Sequence, residues 1–289
     1  MSVVRDASIS VPTPFGFPYW ISLIIGVLAA VGVPPAPSAQ EVAGSLAIAG
    51  NGPELPVIEK LARTFEKVNS RAYVDVVWDI NSKPVEMVKG GQAQIAVTGA
   101  EDPDLKATQI AWDGIAVMVN MSNHTKEVTT QQVADIFSGK VKFWSDLGGP
   151  ETKVLIIDRP KSANLRHAFE QQTGIAGKIA EGGKTVGPDD KAIKTVVGTL
   201  PPQSAVTYIS LGPALEAVAS GVAVRLLPVD KVEPEKPTVK DGRYKLRRPV
   251  LLLTKKEINP LAAAFAAYAT SPEGQKIIDE IYTPIEGTK

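Results

Sequence analysis

The stretch Thr108–Asn120, TQIAWDGIAVMVN, is a long apolar run that decides the fold. Its apolar, β-branched and aromatic residues favour a long β-strand. A second run of this kind, RRPVLLLTK, occupies residues 247–255. Two long strands that flank a central block predict two α/β lobes joined by two chain crossings, with a cleft between the lobes. Strand ends at such a cleft present loops and helix N-termini, whose free N–H groups suit anions.

The chain before this stretch alternates apolar strands with amphipathic helices. SLAIAG (45–50), AYVDVVW (72–78) and AQIAVT (93–98) have the composition of strands. LPVIEKLARTFEKV (55–68) has apolar residues at the spacing of one helix face, and KPVEMVKGG (83–91) ends at glycine. The order β-α-β-α-β predicts a parallel sheet with crossover helices.

The same alternation continues after the long run. Thr129 and Gln132 stand at capping-box spacing in a predicted helix that ends at Gly139. Ser271 and Pro272 predict the start of the last helix. Strands are predicted at residues 153–158 and 204–210, a helix at 259–270, and a proline- and charge-rich loop at 228–242.

Composition excludes several classes of function. Because 31 Lys and Arg residues balance 31 Asp and Glu residues, a general nucleic-acid or membrane-surface binder is disfavoured. The absence of cysteine excludes disulfides, thiolate nucleophiles and thiolate metal sites. His124 and His167 are not at metal-ligand spacing, and no catalytic or nucleotide-binding motif is present. We therefore expect a protein that is not an enzyme and needs neither a metal nor a cofactor.

The N-terminal segment has the character of an export signal. The apolar run Tyr19–Val33 precedes the small residues Ala36, Ser38 and Ala39, which is the order of a signal peptide cleaved after Ser38 or Ala39. The alternative is an uncleaved anchor, because the run is near the lower length limit for crossing a bilayer. In either case we expect the remainder to work in the periplasm or extracellularly, and residues 1–39 are excluded from the fold.

Four segments resemble, in order and spacing, the phosphate-binding protein of bacterial phosphate ABC importers (the PstS type). They are IAWDGIAVMVNMSN (110–123), TTQQVADIFSGKVKFWSDLGG (129–149), RYKLRRPVLLLTK (243–255) and SPEGQKIID (271–279). The resemblance covers about residues 45–282 and implies an α/β, two-lobed type II periplasmic binding-protein fold. Each lobe would be a mostly parallel sheet flanked by helices, with two hinge strands between the lobes. Lobe 1 would comprise 44–113 plus about 249–289, and lobe 2 about 114–248.

The resemblance also implies that three loops hold the ligand. The family patterns are Gly-Ser-Ser-Thr, a Ser- and Gly-rich loop, and Ser-Arg-x-x-Gly-Ser-Gly-Thr-Arg. The corresponding loops here are GNGPE (50–54), DINSKP (79–84) and DRPKSANLR (158–166). Arg159 and Arg166 match the third pattern, whereas the hydroxyl residues of the first and third patterns are mostly replaced.

These replacements weaken an anion site. Hydrogen bonds to charged groups contribute about 1.5–3 kcal/mol each, so the loss of three hydroxyls would lower affinity by orders of magnitude. Pro53 also removes a backbone donor at the start of a helix. The ligand-binding candidates that the resemblance implies are Asn51, Gly52, Ser82, Lys83, Thr98, Arg159, Ser162, Asn164 and Arg166.

Each group of candidates has a structural alternative. The arginines could form a guanidinium clamp on an anion, or they could pair with acidic neighbours such as Asp158 or Glu170. The polar residues of the first two loops could serve ordinary turn and N-cap chemistry.

Two functions remain open from the sequence. The first is an exported solute-binding protein that binds a small anion, phosphate or a related oxyanion, between its lobes for an ABC importer. Its partners would be that anion and a membrane permease, with no nucleic acid, and the chain would be a monomer. The alternative is a diverged, non-transporting fold that acts as a cell-surface adhesion, scaffold or sensory protein.

Overall fold

The computed structural model describes residues 42–285, in which strands and helices alternate. The strands are β1 (Gly44–Gly50), β2 (Ala72–Trp78), β3 (Ile95–Thr98), β4 (Lys106–Asn120), β5 (Leu155–Asp158), β6 (Lys184–Thr185), β7 (Ala205–Ser210), β8 (Val224–Leu227), β9 (Arg247–Thr254) and β10 (Thr283–Pro284). The helices are α1 (Leu55–Val68), α2 (Pro84–Lys89), α3 (Thr130–Phe137), α4 (Asn164–Thr173), α5 (Asp189–Val197), α6 (Leu211–Ala219), α7 (Lys236–Lys240), α8 (Pro260–Thr270) and α9 (Pro272–Asp279). The predicted β-α-β-α-β order at the start of the fold is confirmed.

The strands follow the order β2-β1-β3-β9-β4-β7-β5-β6, and β8 and β10 also pair with β4. β1 is parallel to both β2 and β3, as expected for strands joined by crossover helices. β5 is parallel to β6 and β7 in the second half of the molecule. The strands β4 and β9 run antiparallel to their neighbours, so the antiparallel pairing is concentrated where the two halves meet.

The long strand β4 belongs to both lobes. Its first half pairs with β9 and β10, and its second half pairs with β7 and β8. The register between β4 and β9 shifts between Gln109 and Ala111, which is the signature of a β-bulge. β4 and β9 therefore carry the chain between the lobes, as predicted from the two long apolar runs.

Each lobe has its own hydrophobic core. In the first lobe Phe65 of α1 meets Phe265 of α8 edge to face, with ring centroids 5.4 Å apart. In the second lobe the rings of Phe169 and Tyr208 stack at 4.0 Å, and Phe137 packs edge-on against both. Separate hydrophobic cores in the two lobes, joined by two strands, confirm the predicted two-lobed α/β architecture, whereas the lobe boundaries given above stay a prediction.

Local signals in the sequence specify several helix ends correctly. The Thr129 hydroxyl accepts the backbone N–H of Gln132, and the Gln132 side chain accepts the N–H of Thr129, as in a capping box. Ser271 caps α9 by accepting the N–H of Gly274. The loop predicted at 228–242 is wrong in part, because α7 forms within it. Pro237 lies in the first turn of α7, where its missing N–H costs nothing.

The predicted signal peptide or anchor at residues 1–39 lies outside the described residues. Between residues 42 and 285, the structure contains no helix with the length and apolar character needed to cross a bilayer.

Candidate functional site

A cleft between the lobes brings the three predicted loops together. It contains a cavity of about 550 Å³, called here the cleft cavity. Its lining comprises, from lobe 1, Asn51, residues 82–86 and residues 97–100, and from lobe 2, Lys161, Ser162, Asn164, His167, Ala168 and Gln171. The carboxyl ends of β1, β2 and β3 thus face the loop after β5 and the first turns of α4. This is the arrangement that the order of strands predicted.

The predicted site residues divide between two cavities. The cleft cavity is lined by six of them, namely Asn51, Ser82, Lys83, Thr98, Ser162 and Asn164. Gly52 and Arg159 line a second cavity of about 450 Å³, which Asn51 also borders. Arg166 borders neither cavity, because its side chain is packed beneath the loop that carries Ser162.

Arg159 is committed to contacts within lobe 2. Its guanidinium is 1% exposed and forms an ion pair with Asp189, with Nη2 at 2.7 Å from Oδ1. The same guanidinium donates to the carbonyl oxygens of Gly187 at 2.8 Å and Tyr208 at 3.2 Å. Burial raises the pKa of Asp189, while the charge of Arg159 acts to lower it. The Arg159 side chain therefore already has an anionic partner.

Arg166 is also paired with carboxylates. Its Nη1 lies 2.5 Å from Oδ2 of Asp158, and its Nε donates to Oε1 of Glu170 at 2.9 Å. The other oxygen of Asp158 accepts a hydrogen bond of 2.7 Å from the hydroxyl of Tyr208. Asp158 and Glu170 are the acidic neighbours that the sequence offered as alternative partners for the arginines. Their ion pairs with Arg166 join β5 to α4.

A third buried arginine, Arg248 on β9, lies behind Asn164 and Gly99 of the cleft lining, and the buried region that it shares with Glu54 and Asp113 is called here the deep end of the cleft. Its Nε and Nη2 donate to Oδ2 of Asp113 at 3.1 and 2.9 Å. Nη2 is also 2.5 Å from Oε1 of Glu54, and Nη1 donates to Oδ1 of Asn164 at 3.3 Å. Sequence reasoning missed Arg248, although it lies in the segment RYKLRRPVLLLTK that carries the resemblance and begins a hinge strand.

Glu54 and Asp113 give this end of the cleft a concentrated negative charge. Both carboxylates are at most 1% exposed, and they share the single guanidinium of Arg248. Burial raises the pKa of Asp113 to about 6, against the opposing effects of Arg248 and of the hydroxyl of Ser210. The charge of Glu54 acts in the same direction as burial.

The small polar residues of the predicted loops bond to backbone rather than to one another's side chains. Asn51 Nδ2 donates to the carbonyl oxygens of Ser82 at 3.0 Å and Ser162 at 3.2 Å. The Ser162 hydroxyl donates to Ile80 across the cleft at 3.1 Å, and the Ser82 hydroxyl donates to Gly50 at 3.0 Å. Two of these bonds connect the lobes directly. The loops therefore hold the cleft together with their own polar groups.

The cleft cavity nevertheless keeps cationic side chains at its mouth. These are Lys83 from lobe 1 and Lys161 from lobe 2, and both residues are exposed; the exposed imidazole of His167 also lines the cavity. One carboxylate, that of Glu86, also lines the cavity. In residues 42–285 no group of three or more His, Cys, Asp or Glu side chains could hold a metal ion. The arrangement suits a small anion placed between two ammonium groups from opposite lobes.

Comparisons with known proteins agree with this architecture. A family model described as the PBP superfamily domain matches residues 35–273. The phosphate-binding protein PstS of Bacillus subtilis is 28% identical over 260 residues, which is 86% of this chain and 84% of that protein. The phosphate-binding protein PstS 2 of Streptococcus agalactiae is 37% identical over 115 residues, 38% of this chain and 39% of that protein.

Solved structures show the same relationship. A candidate phosphate ABC transporter substrate-binding protein from Clostridium perfringens, solved with bound phosphate, superposes with a TM-score of 0.75 at 25% identity. The match covers 84% of this chain and all of that one. An ABC-type phosphate transport receptor from Vibrio cholerae shares the fold with a TM-score of 0.72, at 24% identity and with 84% and 100% coverage. The chain therefore belongs to the PBP superfamily, and within it resembles the phosphate-binding proteins of the PstS type.

Proposed function

We propose that this chain is an exported solute-binding protein that takes a small anion between its lobes and delivers it to the permease of an ABC importer. The observation that carries the proposal is the cleft cavity, in which Lys83 and Lys161 approach from opposite lobes. Phosphate is the first ligand to test, because relatives that match most of this chain are named for it. The cavity holds no set of residues that indicates catalysis.

The proposal assigns different tasks to the predicted site residues. Lys83 and Lys161 supply the positive charge, and Asn51, Ser82, Thr98, Ser162 and Asn164 supply polar surface around the anion. Arg159 and Arg166 hold the loop after β5 in place through their carboxylate partners and do not reach the ligand. Closure of the lobes on the ligand by hinge motion would occur at β4 and β9.

The experiment measures binding of phosphate, sulfate, molybdate and small carboxylates to the chain by thermal shift and calorimetry. A ligand at one hundred times its Kd stabilises the folded state by about 2.7 kcal/mol, which a thermal shift resolves. We expect phosphate to stabilise the wild type and the double variant Lys83→Ala, Lys161→Ala to lose this response. Lys178→Ala removes an exposed ammonium that does not line the cavity, and it should bind like the wild type.

The alternative function, a cell-surface adhesion, scaffold or sensory protein with this fold, is favoured by one specific observation. The buried arginines already have carboxylate partners, and two hydrogen bonds tie the lobes together without a ligand's help. Absence of any anion response in the wild type would reject transport of an anion and leave this alternative. An equal loss of binding in Lys178→Ala and in the double variant would reject the cleft as the site.

The localisation proposal follows from the N-terminal pattern and from the family. We place the folded part in the periplasm or outside the cell, led there by residues 1–39 as a signal peptide or an anchor. Fractionation of cells that express the full chain tests this placement, and recovery of the protein in the cytoplasm would contradict it.

A further inference from the structure

We propose that Glu54 is a built-in anion that occupies the deep end of the cleft and excludes oxyanion ligands from it. Solute would then bind only at the Lys83–Lys161 mouth of the cleft cavity. This inference rests on the proposed function, which places the solute in the cleft cavity. What it adds is that a carboxylate of the chain itself determines which end of the cleft can take an anion.

The position of Glu54 is one that attracts negative charge. It is the residue that immediately precedes α1, a helix of 14 residues, and it stands at the N-cap. The N-terminus of a helix carries free N–H groups and a partial positive charge that favour an anion. The side chain of Glu54 makes no hydrogen bond to those N–H groups, so capping does not explain where the carboxylate lies.

The carboxylate of Glu54 is fully buried, and the guanidinium of Arg248 is its one donor among the described residues. Its exposed fraction is 0%, and no backbone N–H or hydroxyl group of the described residues donates a hydrogen bond to Oε1 or Oε2. Its one charged contact is the ion pair with Arg248 at 2.5 Å. A buried ion normally requires both a partner charge and hydrogen bonds to its remaining lone pairs. Glu54 therefore occupies the place as a free ion would, held mainly by charge.

The groups around this carboxylate form a set of donors for an oxyanion. A Cβ built on Gly52 would lie 2.2 Å from Oε2 of Glu54 and 2.6 Å from Nδ2 of Asn164. Both atoms therefore lie next to the space that a side chain at position 52 would occupy. The Asn164 Nδ2 group is buried and has no hydrogen-bond acceptor among the described residues. A guanidinium from β9, an amide donor from lobe 2 and the start of a helix from lobe 1 thus converge on one carboxylate. Glycine at position 52 is required for that close approach.

The charges nearby oppose a second anion at this end. The buried charges that interact at this end are three carboxylates, Glu54, Asp113 and Asp189, and two guanidinium groups, Arg159 and Arg248, so the carboxylates are in excess by one. A dianionic phosphate added beside Glu54 would meet like charge in a region where water does not screen it. The deep end is thus closed to oxyanions as long as Glu54 is present and ionised.

The test is chemical rescue of a shortened side chain. Glu54→Ala removes the charge and leaves a space of carboxylate size beside Arg248 and Asn164. We expect formate, acetate or phosphate to raise the Tm of Glu54→Ala more than that of the wild type, with a Kd for phosphate at least about tenfold lower than the wild type's. Glu54→Gln fills the same space without a charge and should show no such gain. Glu59→Ala removes an exposed carboxylate of α1 that lines neither cavity, and it serves as the control.

Two measurements keep the outcome decisive. If Glu54→Ala is unfolded, it is refolded with and without formate or phosphate, and failure of both anions to restore the fold overturns the inference. If it is folded, equal anion responses in Glu54→Ala, Glu54→Gln and the wild type overturn it.

The same panel in the Lys83→Ala, Lys161→Ala background separates this inference from the proposed function. The gain caused by Glu54→Ala should persist there, because it depends on Arg248 and Asn164 rather than on the two lysines. A wild type without any anion response, together with a rescued Glu54→Ala, would reject the proposed function and support the inference. If phosphate stabilises the wild type and Glu54→Ala shows no larger anion response, the proposed function is supported and the inference is rejected.

Discussion

At the scale of single residues, the buried carboxylate of Asp113 links the stability of the protein to pH. Its pKa lies at about 6 in the folded state, mainly because of burial, against 3.8 for the free side chain. It faces Arg248, the hydroxyl of Ser210, the backbone N–H of Leu211 and the charge of Glu54. A carboxyl whose folded pKa is raised takes up its proton preferentially in the folded state. Its contribution to stability is therefore fully present below about pH 4 and is lost as the pH rises through about 6.

Asp113→Asn should remove this dependence. We expect the free energy of unfolding of the wild type to carry a component that falls between pH 4 and 6, and the variant to lack that component. Denaturant unfolding at a series of pH values measures it, with Asp75→Asn, an exposed carboxylate, as the control. A variant curve parallel to that of the wild type through this range would show that Asp113 does not bind its proton as proposed.

The residue scale is also where prediction from the sequence was least complete. Arg159 and Arg166 were identified as candidates because their spacing in one loop matches the family pattern. Their partners were only partly accessible: Asp158 and Glu170 are neighbours in the chain, but Asp189 is brought to Arg159 by the fold. Arg248 and Glu54 come from opposite ends of the described chain, and only the folded structure shows that they form an ion pair.

At the scale of elements, Arg166 fastens α4 to β5. It bridges Asp158 at the end of the strand and Glu170 one turn further along the helix, and its side chain is 9% exposed. Removing one partner of a buried ion pair typically costs about 3–5 kcal/mol, because the remaining charge is left buried and unpaired. We expect Arg166→Ala to lower the free energy of unfolding by about that amount.

Denaturant unfolding of Arg166→Ala checks this prediction. Arg243→Ala is the matched control, since Arg243 pairs with Asp241 at the surface and such pairs contribute about 0–1 kcal/mol. Equal losses in the two variants would mean that the Arg166 ion pairs do not support the element. A loss of stability without loss of anion binding in the surviving folded protein would agree with the supporting role proposed for Arg166.

Elements with strong periodicity were predicted nearly to the residue, and short ones were not. α1 and β2 occupy the segments predicted for them, because their apolar spacing has a single structural solution. α7 has five residues and a proline in its first turn, so composition alone indicates a loop. β8 has four residues and is specified by pairing with β4, a contact that no local pattern records.

At the scale of the whole molecule, the two lobes are held together by hydrogen bonds as well as by hinge strands. The two long apolar strands predicted the lobes and their connection. Two of the direct bonds between the lobes could not be predicted, because they join Asn51 to Ser162 and Ser162 to Ile80 through backbone carbonyl groups, which every residue has. The relative position of the lobes therefore depends on Asn51 and Ser162, which the sequence predicted only as ligand-binding residues.

The equilibrium between closed and open lobes should respond to these bonds. Because each contributes about 0.5–1.5 kcal/mol, losing both in Asn51→Ala, Ser162→Ala should shift the equilibrium toward open lobes by about fivefold or more. The absence of cysteine allows Lys67→Cys in lobe 1 and Lys178→Cys in lobe 2 to carry spin labels without background. We expect the double variant to show a broader and longer distribution of label distances than the parent. Ser82→Ala is the matched control, because the Ser82 hydroxyl bonds to Gly50 within lobe 1. If the distributions of the double variant and of Ser82→Ala coincide, the two bonds have no part in closure, and the hinge strands and other contacts such as the Lys236–Asp279 ion pair hold the lobes.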